Sequence, residues 1–187
     1  MGALDCENAF STTIGQPLNS SVHINQCEVL KILCAYKADC VFIDEAWFHG
    51  NRLVASFRPF AHPFTLAGSR HLTREHVLLY LTQASYLFVA KLCERRPYWP
   101  FEPSSFSEMA LAEQAVITGI DMRFRKLAYL EEHRTIELHL ERERAMAGRV
   151  FLRFSFGIGE ACYGECEGLV VGDGSLKLGY SLSGKPE

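Results

Sequence analysis

Two histidines flank the start of the most apolar segment in the sequence, which runs from Val77 to Ala90. Thr73 lies between His71 and His76 and can cap a helix, while Glu75 would lie at the positive end of the helix dipole. A histidine can accept or donate a proton near neutral pH, and the first N–H groups of a helix can bind an oxyanion. These residues predict acid–base chemistry beside a helix N-terminus, with the two histidines as candidate bases.

Two further polar residues, Thr82 and Gln83, lie inside the same apolar segment. An unpaired polar group in such a place costs ~1–3 kcal/mol, so both side chains must have partners. Thr82 can bond to a carbonyl one turn earlier or to a water in a pocket. Gln83 can tie the helix to a strand or to a second subunit. Structural roles are also open to the histidines, because His71 can tie a loop to the sheet and His76 can cap the helix.

The segment that carries these residues predicts a helix over residues 70–92. Apolar side chains cover every face of its helical projection, so the rest of the protein must wrap around it. Before it, residues 41–48 and 53–60 are β-prone, and residues 49–52 predict a hairpin turn between them. Four other segments are predicted from composition and spacing: a helix over 24–36, a Pro- and Gly-rich linker over 58–70, an irregular Pro-rich stretch over 94–103, and a short helix over 104–114.

The C-terminal third of the chain changes from helical to alternating periodicity. Apolar and polar residues alternate over 135–144 and again over 150–156, and we expect further strands within 115–130 and over 161–171. Gly-containing turns are expected at 147–148 and 157–159. These segments predict an antiparallel meander with one buried face. The expected fold class is α+β, with a long buried helix wrapped by a curved antiparallel sheet.

Length and composition place the chain among ordinary globular domains. Its 187 residues, 48 % apolar and 22 % charged, predict one domain over residues 24–187 after a loosely ordered arm over 1–23. The net charge of −3 gives no reason to expect nucleic acid or an anionic membrane as partner. No signal-peptide layout is present, and residues 77–90 are too few and too interrupted by polar groups to span a bilayer.

The seven cysteines predict neither disulfides nor a metal site. They contain no CxxC pair, and only Cys162 and Cys166 are suggestively spaced, with no further clustered ligands to complete a zinc site. We expect free thiols in a reducing cytoplasm.

Several short segments occur in an order that is similar to a known family. They are the helix end at 33–36, the strand start at 40–46, the helix entry at 70–73, the mid-helix residues Thr82, Gln83 and Tyr86, and the basic stretch at 123–126. On these segments the chain resembles the FcoT-type long-chain fatty acyl-CoA thioesterases of the hotdog superfamily. The predicted order of hairpin, buried helix and meander is likewise similar to the hotdog fold.

The resemblance implies a homodimer, or a higher assembly of dimers, that binds a fatty acyl-CoA or acyl-carrier-protein substrate at the subunit interface beside the helix N-terminus. It implies no cofactor except the CoA or phosphopantetheine of the substrate, and no catalytic carboxylate at mid-helix. The family's polar pocket has a tyrosine, which this chain keeps as Tyr36, and two asparagines, which it replaces with Thr73 and Thr82.

Residue roles follow from the spacing and the resemblance together. Tyr36 is expected to donate to the thioester oxygen. Arg123, Arg125 and Lys126 can grip a phosphate, since arginine presents a planar fork, or can simply form the solvated face of a strand. Aromatic residues such as Phe64 and Tyr86 indicate an apolar channel, although they can equally fill the core. The predicted catalytic set is His71, Thr73, Thr82, Tyr36 and His76, and the predicted substrate contacts are Gln83, Tyr86, Phe64, Glu75, Arg123 and Arg125.

Three functions are compatible with these expectations. The first is hydrolysis of a fatty acyl thioester, which needs an oxyanion site, a positioned water and usually a base. The second is addition or elimination at the β-carbon of an α,β-unsaturated acyl thioester, including addition of glycine in a biosynthetic pathway. The third is non-catalytic acyl binding, which the two Asn-to-Thr replacements favour.

Overall fold

The computed structural model describes residues 21–58, 60, 71–99, 115–127, 129 and 135–172. These residues form two α-helices, one short 3₁₀ helix over Ala38–Cys40, and seven strands. The helices are α1 (Gln26–Ile32) and α2 (Arg74–Arg95). The strands are β1 (Val22–Ile24), β2 (Ile43–His49), β3 (Arg52–Phe57), β4 (Ala115–Phe124), β5 (Thr135–Met146), β6 (Arg149–Ile158) and β7 (Cys162–Val171).

The strands form a single antiparallel sheet in the order β1-β2-β3-β5-β6-β7-β4. The β2–β3 hairpin turns at Gly50, whose φ of 57° lies in the left-handed region that glycine adopts without strain. The β5–β6 hairpin turns at Ala147 and Gly148, with φ values of 48° and 76°. Both turns lie where the sequence predicts them.

Helix α2 packs against the concave face of the sheet. Strand alternation directs Ile136, Leu138 and Leu140 of β5 inward, and all three are buried. Stacked rings join the layers, because Phe57 of β3 lies 3.8 Å from Tyr80 of α2 between ring centroids. The predicted α+β architecture is confirmed, and its order of hairpin, buried helix and meander is that of the hotdog fold. The meander comprises β5, β6 and β7; the prediction that β4 belongs to it is wrong, because β4 pairs with β7 at the sheet edge and β5 pairs with β3.

One stripe of α2 is less buried than the sequence predicts. Leu78, Leu79, Thr82 and Tyr86 are only partly buried, whereas the rest of the helix from His76 to Cys93 is buried. The sheet and α1 pack against the rest of the helix and leave this stripe partly uncovered. The helix is therefore wrapped by the rest of the protein as predicted, except along this partly exposed stripe, which is mainly apolar.

The C-terminal half of α2 is held by ion pairs. The amine of Lys91 is buried and forms ion pairs with Glu28 of α1 and, at 2.7 Å, with Glu94. One turn further, the Nε of Arg96 lies 3.1 Å from a carboxylate oxygen of Glu143, and its Nη2 donates to the Oδ1 of Asn51 at 2.7 Å. These contacts join α2 to α1, the β2–β3 turn and β5.

The close approach of β4 to β7 requires a glycine. A Cβ added at Gly164 of β7 would lie 2.0 Å from the backbone oxygen of Asp121 in β4 and 2.9 Å from the ring of Phe156. Backbone oxygen cannot move aside as a flexible side chain can. Gly164 therefore sets the distance at which the edge strand β4 pairs with the sheet.

Several predicted boundaries are wrong. The first helix spans Gln26–Ile32 rather than 24–36, because the side chain of Asn25 caps it by accepting from the amide of Glu28, and Ile24 pairs with β2 instead. Helix α2 runs through Arg95, into the stretch expected to be irregular. β6 continues to Ile158, so its turn lies later than predicted. The predicted helix over 104–114, Phe64, and most of the arm and the 58–70 linker lie outside the described residues.

By length and mean hydropathy α2 would also pass for a membrane span, so the expectation that this helix is too short is wrong. However, 78 % of its most apolar 18-residue window is buried inside the protein, and the core helix of a folded domain passes the same test.

Candidate functional site at the start of helix α2

His76 is fully engaged in closing the N-terminus of α2. Its Nδ1 accepts from the backbone N–H of Thr73 at 3.3 Å and lies 2.8 Å from the Thr73 hydroxyl. Its Nε2 lies 3.1 Å from the carbonyl oxygen of Phe60, which can only accept, so the proton of the neutral ring is on Nε2. Both nitrogens of this buried histidine thus have protein partners, and the geometry matches the capping alternative that the sequence leaves open.

His71 has a different environment, although it lies only two residues before the helix cap. Its Nδ1 is buried and has no hydrogen-bond partner among the described residues. The residue forms an isolated β-bridge with Tyr129, and the two rings lie 4.8 Å apart between centroids. An unpaired buried ring nitrogen costs free energy, so it marks a place where a water or a substrate group would complete the hydrogen bonding.

A cavity of about 440 Å³ opens beside this helix end. It is lined by Leu72, Thr73, Arg74, Phe124, Arg125, Lys126 and Leu127. A second cavity of about 360 Å³ adjoins it along β4 and shares Arg74 and Phe124. The lining of the larger cavity contains three cationic side chains and no carboxylate, in a chain whose net charge is −3. The site is therefore suited to an anionic ligand.

The basic residues that follow β4 differ in position. Arg125 and Lys126 line the larger cavity, whereas Arg123 lines neither cavity and lies 3.8 Å from the carboxylate of Asp121. The guanidinium of Arg125 lies 4.4 Å from the ring centroid of Tyr163. This distance is that of a cation–π contact, which lies beside the cavity. Of the three predicted phosphate ligands, Arg125 and Lys126 line the cavity at the helix start and Arg123 does not.

Thr82 and Gln83 form hydrogen bonds within the protein. The Thr82 hydroxyl donates to the carbonyl oxygen of Leu78 at 2.8 Å, the back-bonding arrangement that the sequence leaves open. The amide of Gln83 donates to the carbonyl of Cys40 at 2.7 Å and accepts from the N–H of Phe42 at 2.9 Å. Gln83 is fully buried and braces α2 against the chain just before β2. Substrate roles for both residues stay predictions.

The two tyrosines lie farther along the helix. Their rings are 6.2 Å apart between centroids, and the Tyr86 hydroxyl donates to the carbonyl of Ala115 at 3.2 Å. Burial, with a smaller effect of Tyr86, raises the pKa of Tyr36 to about 12, so Tyr36 stays a hydrogen-bond donor at neutral pH. At 1.5 Å per residue, Tyr86 lies roughly 18 Å from the first residue of α2 and Thr82 roughly 12 Å from it.

The structure therefore divides the predicted site into two groups. His71, Thr73, Glu75 and His76 lie together at the helix start, and Glu75 is exposed there. Thr82, Gln83, Tyr86 and Tyr36 form the second group, two to three turns away. Sequence reasoning missed four residues that line the larger cavity: Leu72, Arg74, Phe124 and Leu127. Of these four, only Arg74 could have been identified from the sequence, because it is a cationic residue at the first position of the predicted helix and a cation there can bind an anionic ligand.

The three buried cysteines lack the features of reactive thiols. Burial raises the pKa of Cys93 and Cys166 to about 12 and that of Cys162 to about 11, which keeps all three protonated. Among the residues that the structure describes, no three histidine, cysteine or acidic side chains are grouped in a way that could hold a metal ion.

Comparisons with known proteins add the following findings. No protein-family model and no curated protein matches the chain. Solved structures that are similar to it include an HP0420 homologue from Helicobacter felis, with 9 % identity, a TM-score of 0.44, and coverage of 78 % of this chain and 88 % of that one. A dehydratase domain of a mycocerosic acid synthase-like polyketide synthase has 13 % identity and a TM-score of 0.48, over 82 % of this chain and 51 % of that one.

A third similar structure is a hypothetical thioesterase with coenzyme A from Streptococcus pneumoniae TIGR4, with 11 % identity and a TM-score of 0.35 over 65 % of this chain and 80 % of that one. At these identities and scores the similarities carry no argument about the site. They do not place the chain in the FcoT-type family. The fold rests on the strand order and the buried helix described above.

Proposed function

We propose that the protein is an acyl-thioester enzyme, most simply a hydrolase of fatty acyl-CoA or of fatty acyl carrier protein, with its site at the N-terminus of α2. The observation that carries the proposal is the cavity of about 440 Å³ at this helix end, which three cations line. His71, whose buried Nδ1 has no partner among the described residues, directly precedes Leu72 of that lining in the chain. Thioester hydrolysis requires an oxyanion site and a base in one place.

The chemistry assigns a role to each group. The first N–H groups of a helix have no acceptor within it, so the start of α2 can bind the thioester oxygen as it becomes negative. His71 would take a proton from the water whose oxygen attacks the carbonyl carbon. The carbon–sulfur bond then breaks and the thiolate takes up a proton, which yields a carboxylic acid and a free thiol. No cofactor beyond the CoA or phosphopantetheine of the substrate is required.

A second subunit would complete the acyl-binding part of the site. Leu78, Leu79 and Tyr86 form an apolar stripe on α2 that the sheet leaves partly uncovered, and β4 is an edge strand of the same sheet. A homodimer that covers this stripe would enclose an acyl chain along the helix. Sedimentation analysis would test it, since a monomer at micromolar concentration would contradict the proposed assembly. The proposed compartment, a reducing cytoplasm, rests on the sequence expectation alone.

A specific observation favours non-catalytic acyl binding as a second candidate. His76 uses both ring nitrogens in the cap and Thr82 donates its proton to Leu78, so two of the predicted catalytic groups already have structural partners. Hydrolysis then depends on His71. Addition to an α,β-unsaturated acyl thioester, which would also need a base, stays an alternative for the same site.

Release of free thiol from a series of short- to long-chain acyl-CoAs and acyl carrier proteins tests the proposal. Turnover that falls in folded His71→Gln protein and persists in Thr82→Ser protein is the expected result. Acyl binding without turnover on any substrate would contradict hydrolysis and identify the protein as a non-catalytic acyl-binding protein. Mass increase of an enoyl thioester in the presence of glycine would instead identify the addition reaction.

A further inference from the structure

Three large apolar side chains are exposed at the end of β4 and in the residues that follow it. The exposed fractions are 43 % for Phe124, 69 % for Leu127 and 44 % for Tyr129. Phe124 and Leu127 line the larger cavity, and Tyr129 forms the β-bridge to His71. Clustered exposed apolar residues rimmed by polar ones are typical of protein-binding surfaces.

The rim of this surface is cationic. Arg74, Arg125 and Lys126 lie in the same cavity lining. Lys126 forms an ion pair at 3.0 Å with Glu160, but both side chains are at least half exposed, and such pairs are weak enough to exchange for another anion. Neither Arg74 nor Arg125 has a carboxylate partner among the described residues. We define Arg74, Phe124, Arg125, Lys126, Leu127 and Tyr129 as the docking surface.

A free nucleotide would use the cations of this surface but has no need of its exposed apolar residues. Leu127, at 69 % exposed, is the most exposed large apolar side chain of the described residues, and the phosphates of a nucleotide would gain nothing from contact with it. An acidic protein whose contact face also carries apolar side chains would match both features. Charge complementarity with apolar contacts at the centre is the common arrangement of transient protein interfaces.

We infer that the docking surface recognises an acidic carrier protein, whose phosphopantetheine arm would enter the cavity at the start of α2 while its acidic face pairs with Arg74, Arg125 and Lys126. This inference rests on the proposed function and narrows its substrate class from any acyl thioester to one delivered by a carrier protein. The contact with Leu127 is what separates a carrier protein from free acyl-CoA.

The experiment measures binding of a purified type II acyl carrier protein in its apo form, which has no arm and no thioester. Binding is measured by fluorescence anisotropy for the native protein and for three variants. The double variant Arg125→Glu/Lys126→Glu reverses the rim charge. Leu127→Ser removes the apolar contact. Arg142→Glu/Arg144→Glu makes the same charge change on exposed residues of β5, beside the opposite end of α2.

We expect the double reversal at the rim to weaken carrier binding by roughly tenfold or more, and increasing salt to weaken binding to the native protein. Leu127→Ser should weaken carrier binding several-fold, and by more than it weakens the binding of hexadecanoyl-CoA, because an acyl-CoA lacks the protein surface that would cover this side chain. The β5 variant should bind within about twofold of the native protein. Circular dichroism and sedimentation of each variant establish that fold and subunit number are unchanged.

Three results would overturn the inference: absence of carrier binding to the native protein, equal loss of binding in the rim and β5 variants, or a change of subunit number in Leu127→Ser, which would assign the surface to a second copy. The proposed function fails separately. Carrier binding without thiol release would contradict the proposed hydrolysis and leave the carrier-binding surface supported. Hydrolysis of acyl-CoA without carrier binding would contradict the carrier-binding surface and leave the proposed hydrolysis supported.

Discussion

The two ends of helix α2 are built differently. At the C-terminal end, Lys91 and Arg96 are paired with carboxylates, and the guanidinium of Arg95 lies 4.7 Å from the ring centroid of Phe48. At the N-terminal end, a buried nitrogen of His71 has no partner among the described residues, and three cations line an open cavity. The charged groups named at the C-terminal end are paired within the chain, whereas at the N-terminal end the His71 nitrogen has no hydrogen-bond partner, and Arg74 and Arg125 have no carboxylate partner, among the described residues.

The contrast separates residues that hold the fold from residues that are available for function. Charged groups occur at both ends, so charge alone does not mark a site. What differs is whether each group already has a partner, because an unmet buried donor or acceptor lowers stability unless a ligand repays that cost. Substitutions at the C-terminal end should therefore change stability, and substitutions of His71 or the docking surface should change binding or turnover.

The largest expected effect is a loss of stability on displacing β4, the strand that forms the wall of the N-terminal site. Gly164→Ala would place a Cβ 2.0 Å from the carbonyl oxygen of Asp121, so β4 must shift away from β7. We expect a loss of about 3 kcal/mol in the free energy of unfolding, measured by urea denaturation. Gly168→Ala on the same strand is the control, since its nearest contact would be an ordinary 3.6 Å. Equal losses in both variants would contradict this prediction.

Replacement of the unpaired histidine should affect turnover and not stability. His71→Gln is expected to lower kcat/KM by about 100-fold, which corresponds to about 2.7 kcal/mol, while the free energy of unfolding stays within about 0.5 kcal/mol of the native value. Steady-state thiol release and urea denaturation measure the two quantities.

The second histidine supplies the matched control. His76→Ala removes a hydrogen bond to Thr73 and another to the carbonyl of Phe60, so we expect it to cost about 2 kcal/mol of stability. If His71→Gln instead destabilised the protein as much as His76→Ala and left turnover intact, His71 would belong to the fold and the contrast between the ends of α2 would fail.

At the paired end, Lys91→Met should destabilise without changing substrate binding. The buried amine has two carboxylate partners, Glu28 and Glu94, but both are partly exposed, so we expect a loss of about 2 kcal/mol rather than the larger cost of a fully buried pair. Lys37→Met, at an exposed position with no ion pair among the described residues, should change stability by less than about 0.5 kcal/mol.

The pH dependence of the Lys91 effect has a definite sign. Burial lowers the pKa of this amine, but its hydrogen bonds and charge interactions with Glu28 and Glu94 outweigh burial and leave the pKa above the ordinary value. A raised pKa of a cationic group stabilises the fold at pH values below the unfolded pKa, and this contribution is lost as pH rises through the folded pKa. The stability difference between native and Lys91→Met protein should therefore be larger at pH 8 than at pH 11.

The sequence predicts the elements of this fold better than the contacts between them. Local periodicity identifies α2, and the turns at Gly50 and Gly148 follow from residues next to each other in the chain. β1 was missed because three residues carry too little pattern, and its existence depends on pairing with β2. The pairing of Lys91 with Glu28 joins residues 63 positions apart, so spacing along α2 could not reveal it.

The candidate site shows the same limit. His71 and Thr73 were identifiable because they precede a helix, whereas Phe124 and Leu127 enter the cavity only because β4 ends beside the start of α2. Thr82 and Gln83 were singled out as buried polar residues, and their partners turned out to be backbone groups of the protein. Polarity in an apolar segment predicts that a partner exists but does not say whether the partner is a ligand.

The smallest expected effect is a gain in stability at the β5–β6 turn. Ala147 has a φ of 48°, a left-handed conformation that costs an alanine about 1 kcal/mol, and it precedes Gly148 at a φ of 76°. Positive φ at both central residues is the requirement of a type I′ turn, for which Asn-Gly is the preferred pair. Ala147→Asn should therefore raise the free energy of unfolding by about 0.5 kcal/mol, measured by urea denaturation, whereas Ala147→Val should lower it. Because this turn follows the stretch of β5 that pairs with the C-terminal end of α2, thiol release and carrier-protein binding should be the same in both variants; a change in either would mean that the two ends of the helix are coupled.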